Sequence, residues 1–513
     1  MNKKLLAGLL LGVGGLSLSV QAGDFGEGLG NLAHSKVLEN HDGRYNHWNG
    51  IGRIMAKGGM HCTATLLDTR SQDSPANAPA YVLTSGHCVE KKNGLIVTDR
   101  VVEGEVLFNY FSDTQPRSFA LKRINWSSMQ GVDLAIIELQ TPLSELIAAG
   151  IEPIQIARDM PAIGGDILLV GAPLKHGTGY LRLAACTQQQ SSDVLEQPWF
   201  WRNSVKNQCR DVSEGSSGSP VLLRESNEVF AVLGTSTQGS RGQPVELPEG
   251  FPVPSPDSNY GSAMTFLRNC FAKGVLVQDP QECALFPTYS ITFKSPVKRY
   301  AKIALDMHGQ AVYPAWDLRF SLDTPFYRYK QVERAHQCES PHHYSTALPT
   351  ENARINDAIG LRPGMHLLCI IAVTAVDERP SLGMMRNALT LAVELLPPGP
   401  TEAPKVLMKH AGGGYSVSYG QDPRLFSHYS LKFGPPESTD CFDAQGQRKA
   451  ATSRPLHFPA NKLPLKLCTL AYDLNGQPSA VREDLLEKRS AGQQPQPGKT
   501  RFSYIGLGDE PRD

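Results

Sequence analysis

From about Tyr45 to Val277 the apolar positions fall in short runs bounded by turn residues. Tyr81-Val82-Leu83-Thr84, Leu134-Ala135-Ile136-Ile137-Glu138-Leu139, Ile167-Leu168-Leu169-Val170 and Val229-Phe230-Ala231-Val232-Leu233 are four to six residues long, with Gly, Pro or Asn nearby. Runs of that length and composition predict strands. His61-Cys62-Thr63-Ala64-Thr65-Leu66-Leu67 reads the same way. Only Ser262 to Phe271 carries a spacing that suits a helix. The pattern predicts an all-β domain over 45–277.

Beyond Pro280 the pattern repeats. Phe326-Tyr327-Arg328-Tyr329 is followed by Cys338, by Leu367-Leu368-Cys369 and by a turn running from Asp377 to Pro380-Ser381. Phe426-Ser427-His428-Tyr429 is followed by Cys441, by Lys466-Leu467-Cys468 and by a turn from Asp473 to Pro478-Ser479. Each copy has a strand, a cysteine, about 30 residues and a second cysteine on an alternating strand. Units of roughly 100 residues built this way suit small β-sandwiches, expected over 285–395 and 404–488. Their turn chemistry resembles fibronectin type III-like or Ig-like modules. The proline-rich Leu396–Pro404 stretch between them predicts a stiff linker. The tail from 489 to 513, with Gln-Gln-Pro-Gln-Pro-Gly, predicts disorder.

The N-terminus predicts the compartment. Met1-Asn2-Lys3-Lys4 is a basic start, Leu5 to Val20 is apolar, and Val20-Gln21-Ala22 fits a cleavage site, so residues 1–22 read as a signal peptide. Residues 23–44 follow as an N-terminal arm or propeptide. No second hydrophobic stretch of about 18 residues is present to span a membrane. Export to the periplasm or the exterior suits the ten cysteines. Nearest-neighbour pairing predicts Cys62–Cys88, Cys186–Cys209, Cys270–Cys283, Cys338–Cys369 and Cys441–Cys468, although spacing alone does not fix connectivity. No Cys-x-x-Cys occurs and the histidine pairs lack partners, so no metal or other cofactor is expected. Fifty basic and fifty acidic residues give zero net charge, which argues against a nucleic-acid partner.

Chemistry concentrates in three segments. Glu214-Gly215-Ser216-Ser217-Gly218-Ser219-Pro220 sets a serine between glycines in a tight turn. Thr84-Ser85-Gly86-His87-Cys88 offers a base, and Gly131-Val132-Asp133-Leu134 a carboxylate before an apolar strand. A free hydroxyl is a weak nucleophile at neutral pH and needs a base, which a carboxylate can orient. Each segment alone has an ordinary structural explanation. Together, in the order His, Asp, Ser, they predict a nucleophilic site of His87, Asp133 and Ser217.

These segments resemble those of the trypsin/chymotrypsin-like serine endopeptidases. Thr84-Ser85-Gly86-His87-Cys88 is similar to Thr-Ala-Ala-His-Cys, Asp133-Leu134-Ala135-Ile136-Ile137 to Asp-Ile-Ala-Leu-Leu, and Gly215-Ser216-Ser217-Gly218-Ser219-Pro220 to Gly-Asp-Ser-Gly-Gly-Pro. The separations of 46 and 84 residues are also close to the family's. The resemblance covers 45–277. It implies a double β-barrel, a protein or peptide substrate and an oxyanion hole formed by the N–H groups of Gly215 and Ser217. Ser216 departs from the family's aspartate, so the zymogen switch of the animal enzymes is not expected. The Gly-x-Ser-Gly-Ser-Pro form looks more like bacterial secreted glutamyl and lysyl endopeptidases.

Two carboxylates are candidates for a pocket that prefers basic residues. Asp211 stands six residues before Ser217, and Asp257 stands four before Gly261. A solvated loop aspartate is the plain alternative for both. The rival overall reading is a secreted binding protein on an inactive protease scaffold, with the C-terminal modules holding substrate or a surface.

Overall fold

The structure is a computed structural model that describes residues 23–56, 60–175, 179–196, 198–238, 255–399, 402–411, 413–419, 424–450, 454–488 and 499–501. The expected signal peptide, and the tail except 499–501, lie outside these.

The first barrel closes on itself. Neighbouring strands follow the order Arg117–Ser128, Gly104–Phe108, Ile51–Ala56, Met60–Leu66, Tyr81–Thr84 and Leu134–Leu139, and the last pairs back with Arg117–Ser128. Closure depends on that one long strand, whose register shifts at Leu121/Arg123 and Ile124/Trp126 bend it around the barrel. Ile54, Ala64, Val82, Val106 and Ile137 are fully buried inside.

The second half is a single antiparallel sheet of eight strands. Its order is Lys36–Val37, Arg182–Thr187, Asp166–Gly171, Pro220–Leu223, Val229–Ser236, Asn259–Ala263, Trp199–Asn207 and Gln189–Glu196. The 23–44 arm belongs to this sheet, since Lys36 pairs with Leu183, and Asp24 forms an ion pair with Arg224 at 2.6 Å. No α-helix forms over Ser262–Phe271. Asn259–Ala263 is a strand between two neighbours, and Thr265–Cys270 is a 3-10 turn leading into the Cys270–Cys283 bond.

Two β-sandwiches follow, each a three-stranded sheet against a five-stranded one. In the first, Phe320 and Ile355 from one sheet share a core with Tyr327, Ile370 and Leu391 from the other. In the second, Val417 and Phe458 meet Tyr429 and Leu467. Lys499–Arg501 adds an edge strand to Val481–Leu486. Disulfides join Cys62–Cys88, Cys186–Cys209, Cys270–Cys283, Cys338–Cys369 and Cys441–Cys468. Among the described residues no helix is long and apolar enough to cross a membrane.

The first sandwich docks on the protease-like half through polar groups. Arg202, fully buried, donates to Glu339, to the Ala388 carbonyl at 2.8 Å and to Thr390 at 2.9 Å. Gln130 Nε2 donates to the Asn387 carbonyl and Trp126 Nε1 to that of Leu285. A buried Lys302–Asp473 pair at 2.9 Å joins the two sandwiches.

Candidate active site

The histidine is delivered by a turn. After the strand Tyr81–Thr84 the chain makes the 3-10 turn Gly86–Cys88. A Cβ on Gly86 would lie 2.1 Å from the Ser128 carbonyl oxygen, so only glycine lets the turn seat there. Cys88 ties it to the strand Met60–Leu66 through Cys62. A bond closing a loop of this length contributes roughly 3–4 kcal/mol on the chain-entropy model.

Asp133 stands at the head of Leu134–Leu139, buried, and spends both oxygens on His87. Oδ1 accepts the His87 main-chain N–H at 2.8 Å, and Oδ2 faces Nδ1 at 2.7 Å. The Asp133 N–H donates to Ser262 Oγ at 2.8 Å. The carboxylate assigns the ring proton to Nδ1, which leaves Nε2 as the acceptor. Burial pulls the His87 pKa down, but the Asp133 charge and hydrogen bond outweigh it and hold it above its ordinary value of 6.5. Gly234 makes room for this carboxylate, because a Cβ there would sit 2.7 Å from Oδ2.

Ser217 is presented by the turn that the glycines predict. Gly215 and Gly218 have φ of +93° and +86°, conformations that a side chain disfavours. A Cβ on Gly218 would also fall 2.1 Å from the Thr63 carbonyl oxygen. The turn is fastened to both halves. Thr63 N–H donates to the Ser217 carbonyl at 2.7 Å, and Gly218 N–H to that of Leu233 at 2.8 Å. The N–H groups of Gly215 and Ser217 donate to no protein acceptor among the described residues. His87, Asp133 and Ser217 line one cleft of about 580 Å³.

Cys62, His87 and Cys88 place their sulfur and nitrogen atoms within 4.8 Å of one another. The two sulfurs are bonded to each other, so this group offers no thiolate pair for a metal.

The two specificity candidates fare differently. Asp211 reaches the cleft wall, but its carboxylate is engaged by the N-terminal arm. Oδ2 accepts the Ser35 N–H at 2.7 Å and the Ser35 hydroxyl at 2.9 Å, while Oδ1 faces His34 Nδ1 at 3.2 Å. Burial raises the Asp211 pKa, and the Ser35 and His34 bonds more than reverse this. Asp257 is exposed on a turn and does not line the cleft; it borders a neighbouring depression together with Arg210, Asp211 and Gln238, the last two of which also line the cleft. The turn that carries it leads into the Asn259–Ala263 strand, from which Ser262 and not Asp257 bonds Asp133.

Ser216 is buried, and its carbonyl takes the Ser219 hydroxyl at 2.6 Å. Sequence reasoning missed Glu196, Trp199 and Trp201, which also line the cleft. The Glu-x-x-Trp-x-Trp spacing was the available signal. It matches no catalytic pattern, and its meaning depends on a hairpin folding over the cleft.

The fold and this geometry agree with the family comparison. The model of the trypsin-like peptidase domain matches residues 62–232, and this part of the chain belongs to the trypsin/chymotrypsin-like family. Solved structures similar to it include a thermostable serine protease, AL20, from an extremophilic microorganism (16% identity, 45% of this chain and 94% of that one, TM-score 0.30). Protease Anisep from Arthrobacter nicotinovorans has 16% identity over 42% of this chain and 91% of its own, with TM-score 0.30. Human heparin binding protein has 13% identity over 46% and 92%, with TM-score 0.29. A comparison with curated protein sequences finds no match.

Proposed function

We propose that the protease-like domain is a serine endopeptidase that cleaves peptide bonds through an acyl-enzyme. The observation that carries this reading is the double grip of Asp133 on His87, at 2.7 and 2.8 Å, in the cleft that also holds Ser217. His87 Nε2 takes the Ser217 proton as Oγ attacks the carbonyl carbon. It then returns the proton to the departing amine, and water repeats the cycle on the ester. Asp133 holds the tautomer and stabilises the imidazolium. The unclaimed N–H groups of Gly215 and Ser217 receive the developing oxyanion, a contribution of several kcal/mol in such sites.

Substrate backbone has a natural place. Past Leu233 the strand Val229–Ser236 pairs, among the described residues, only with Asn259–Ala263, and its other edge at Thr235 and Ser236 suits an added strand of substrate. The disulfides and the N-terminal pattern support export to the periplasm or the exterior. The Gly-x-Ser-Gly-Ser-Pro turn supports kinship with bacterial secreted members, and the sandwiches are candidates for holding substrate or a surface.

A fluorophosphonate probe tests the reading. Wild-type protein labels at Ser217 and Ser217→Ala does not; absence of labelling in the wild type, or labelling that survives the substitution, sinks it.

A further inference from the structure

The cleft is also lined by Glu196, Trp199 and Trp201 from a hairpin of Gln189–Glu196 and Trp199–Asn207, in which Glu196 pairs with Trp199. Glu196 Oε2 accepts from Trp201 Nε1 at 2.8 Å, and Oε1 from Thr235 Oγ1 at 3.1 Å. Both donors are neutral. They aim the carboxylate without discharging it, and Glu196 has no ion-pair partner among the described residues. Its field reaches His87, whose protonated form it favours.

The other charges of the cleft do not compete for this role. Asp211 is held by Ser35 and His34. Glu214, Lys91 and Lys175 line the same cleft but are exposed, where water screens them. Beside Glu196 the rings of Trp199 and Trp201 stack with centroids 6.2 Å apart and planes 10° from parallel. A half-buried carboxylate beside the partly exposed Trp199 fits an alkyl stem carrying a cation, through charge and apolar contact. Thr235, which positions Oε1, is also the residue whose open strand edge suits the acyl side of a substrate.

We propose that Glu196 is the specificity-determining residue of the cleft, recognising a lysine or arginine side chain on the acyl side of the scissile bond. This rests on the endopeptidase reading above. It moves the basic preference from Asp211 and Asp257 to a hairpin that the catalytic motifs do not mark.

The test uses full-length protein and fluorogenic peptides in which one lysine, or norleucine in its place, is walked through the four positions before the cleaved bond. The wild type favours lysine at one of these by about tenfold or more in kcat/KM, a difference of about 1.4 kcal/mol. Glu196→Gln brings that ratio close to one, Glu196→Lys favours glutamate at the same position, and Asp211→Asn keeps the lysine preference. Loss of the ratio in Asp211→Asn, its survival in Glu196→Gln, or no lysine preference at any position overturns the proposal. Each variant is titrated with the fluorophosphonate, so the ratios refer to active sites. A wild type that does not label overturns the endopeptidase reading and this proposal with it, whereas a labelled wild type without a lysine preference overturns only the role of Glu196.

Discussion

The N–H and the hydroxyl of Ser35 converge on one carboxylate oxygen of Asp211, at 2.7 and 2.9 Å. The N-terminal arm thereby fastens the segment that leads into the Ser217 turn, across a separation of 176 residues. Ser216, where the animal enzymes place the aspartate that receives their new N-terminus, is itself buried within the turn.

Asp211→Ala should therefore act on stability. Hydrogen bonds to a charged group are worth roughly 1.5–3 kcal/mol, and chemical denaturation should show a loss in that range. The Asp211 pKa lies below its ordinary 3.8 in the folded state. Its contribution is then complete above that value and disappears as pH falls through the lower folded value. The difference between the variant and the wild type should shrink as pH falls through that lowered value; a difference that does not shrink would contradict the assignment.

Activity should depend on the protonation of His87. The base must be neutral, and the Asp133 contacts raise its pKa above 6.5. The kcat/KM of the free enzyme should rise with pH along a limb whose midpoint lies above that value. Asp133→Asn removes the charge that raises it, so the midpoint should fall while kcat drops by roughly 10⁴-fold. A limb that stays in place in Asp133→Asn would show that another group titrates.

Arg53 is buried, and its guanidinium donates to the carbonyls of Ala172 at 2.5 Å and Gly179 at 2.8 Å. One of its nitrogens has no hydrogen-bond acceptor among the described residues and lies 3.0 Å from the position a Gly215 Cβ would take. Burial lowers its pKa, and no carboxylate forms an ion pair with it among the described residues. A positive charge behind the oxyanion turn favours the negative transition state. Arg53→Met should lower kcat by roughly 10-fold or more with little change in KM, and Arg53→Lys should recover part of it. Equal losses in both variants, seen as a higher KM, would point to packing alone.

Arg202 couples the first sandwich to the trypsin-like half. Its N–H donates to the Gly131 carbonyl at 3.0 Å, two residues before Asp133, while its guanidinium is spent on the sandwich. Arg202→Met leaves buried carbonyls without donors and should cost about 3 kcal/mol or more. Loss of activity should be equal on a small ester and on whole protein, because the Asp133 segment itself is disturbed. Removing only residues after Leu396 should spare the ester activity; a loss there would extend the coupling to the second sandwich.

Much of the site is legible in the chain because its chemistry is written in short contiguous motifs. His87, Asp133 and Ser217 each sit in a run whose neighbours explain the local turn or strand, and Gly86, Gly215 and Gly218 announce the backbone shapes needed. The strands around them follow from runs such as Leu134–Leu139, all six residues of which are buried. Asp211 and Asp257 are less legible for the same reason in reverse. Spacing from a motif states how far along the chain a carboxylate lies, not what it faces, and both reach their surroundings through turns at positive φ of 62° and 47°.

The sequence by itself determined the all-β class, the order of the three motifs, the cysteine-bearing repeat and the residue types available for acyl transfer. Those follow from local periodicity and from backbone requirements that only glycine meets. Tertiary structure decided which charges are already paired. Asp211 is satisfied by Ser35, Arg202 by the first sandwich, and Glu196 is left facing the cleft with neutral donors behind it. Such pairings join residues far apart in the chain, and their energies depend on distance and burial, which no local pattern records.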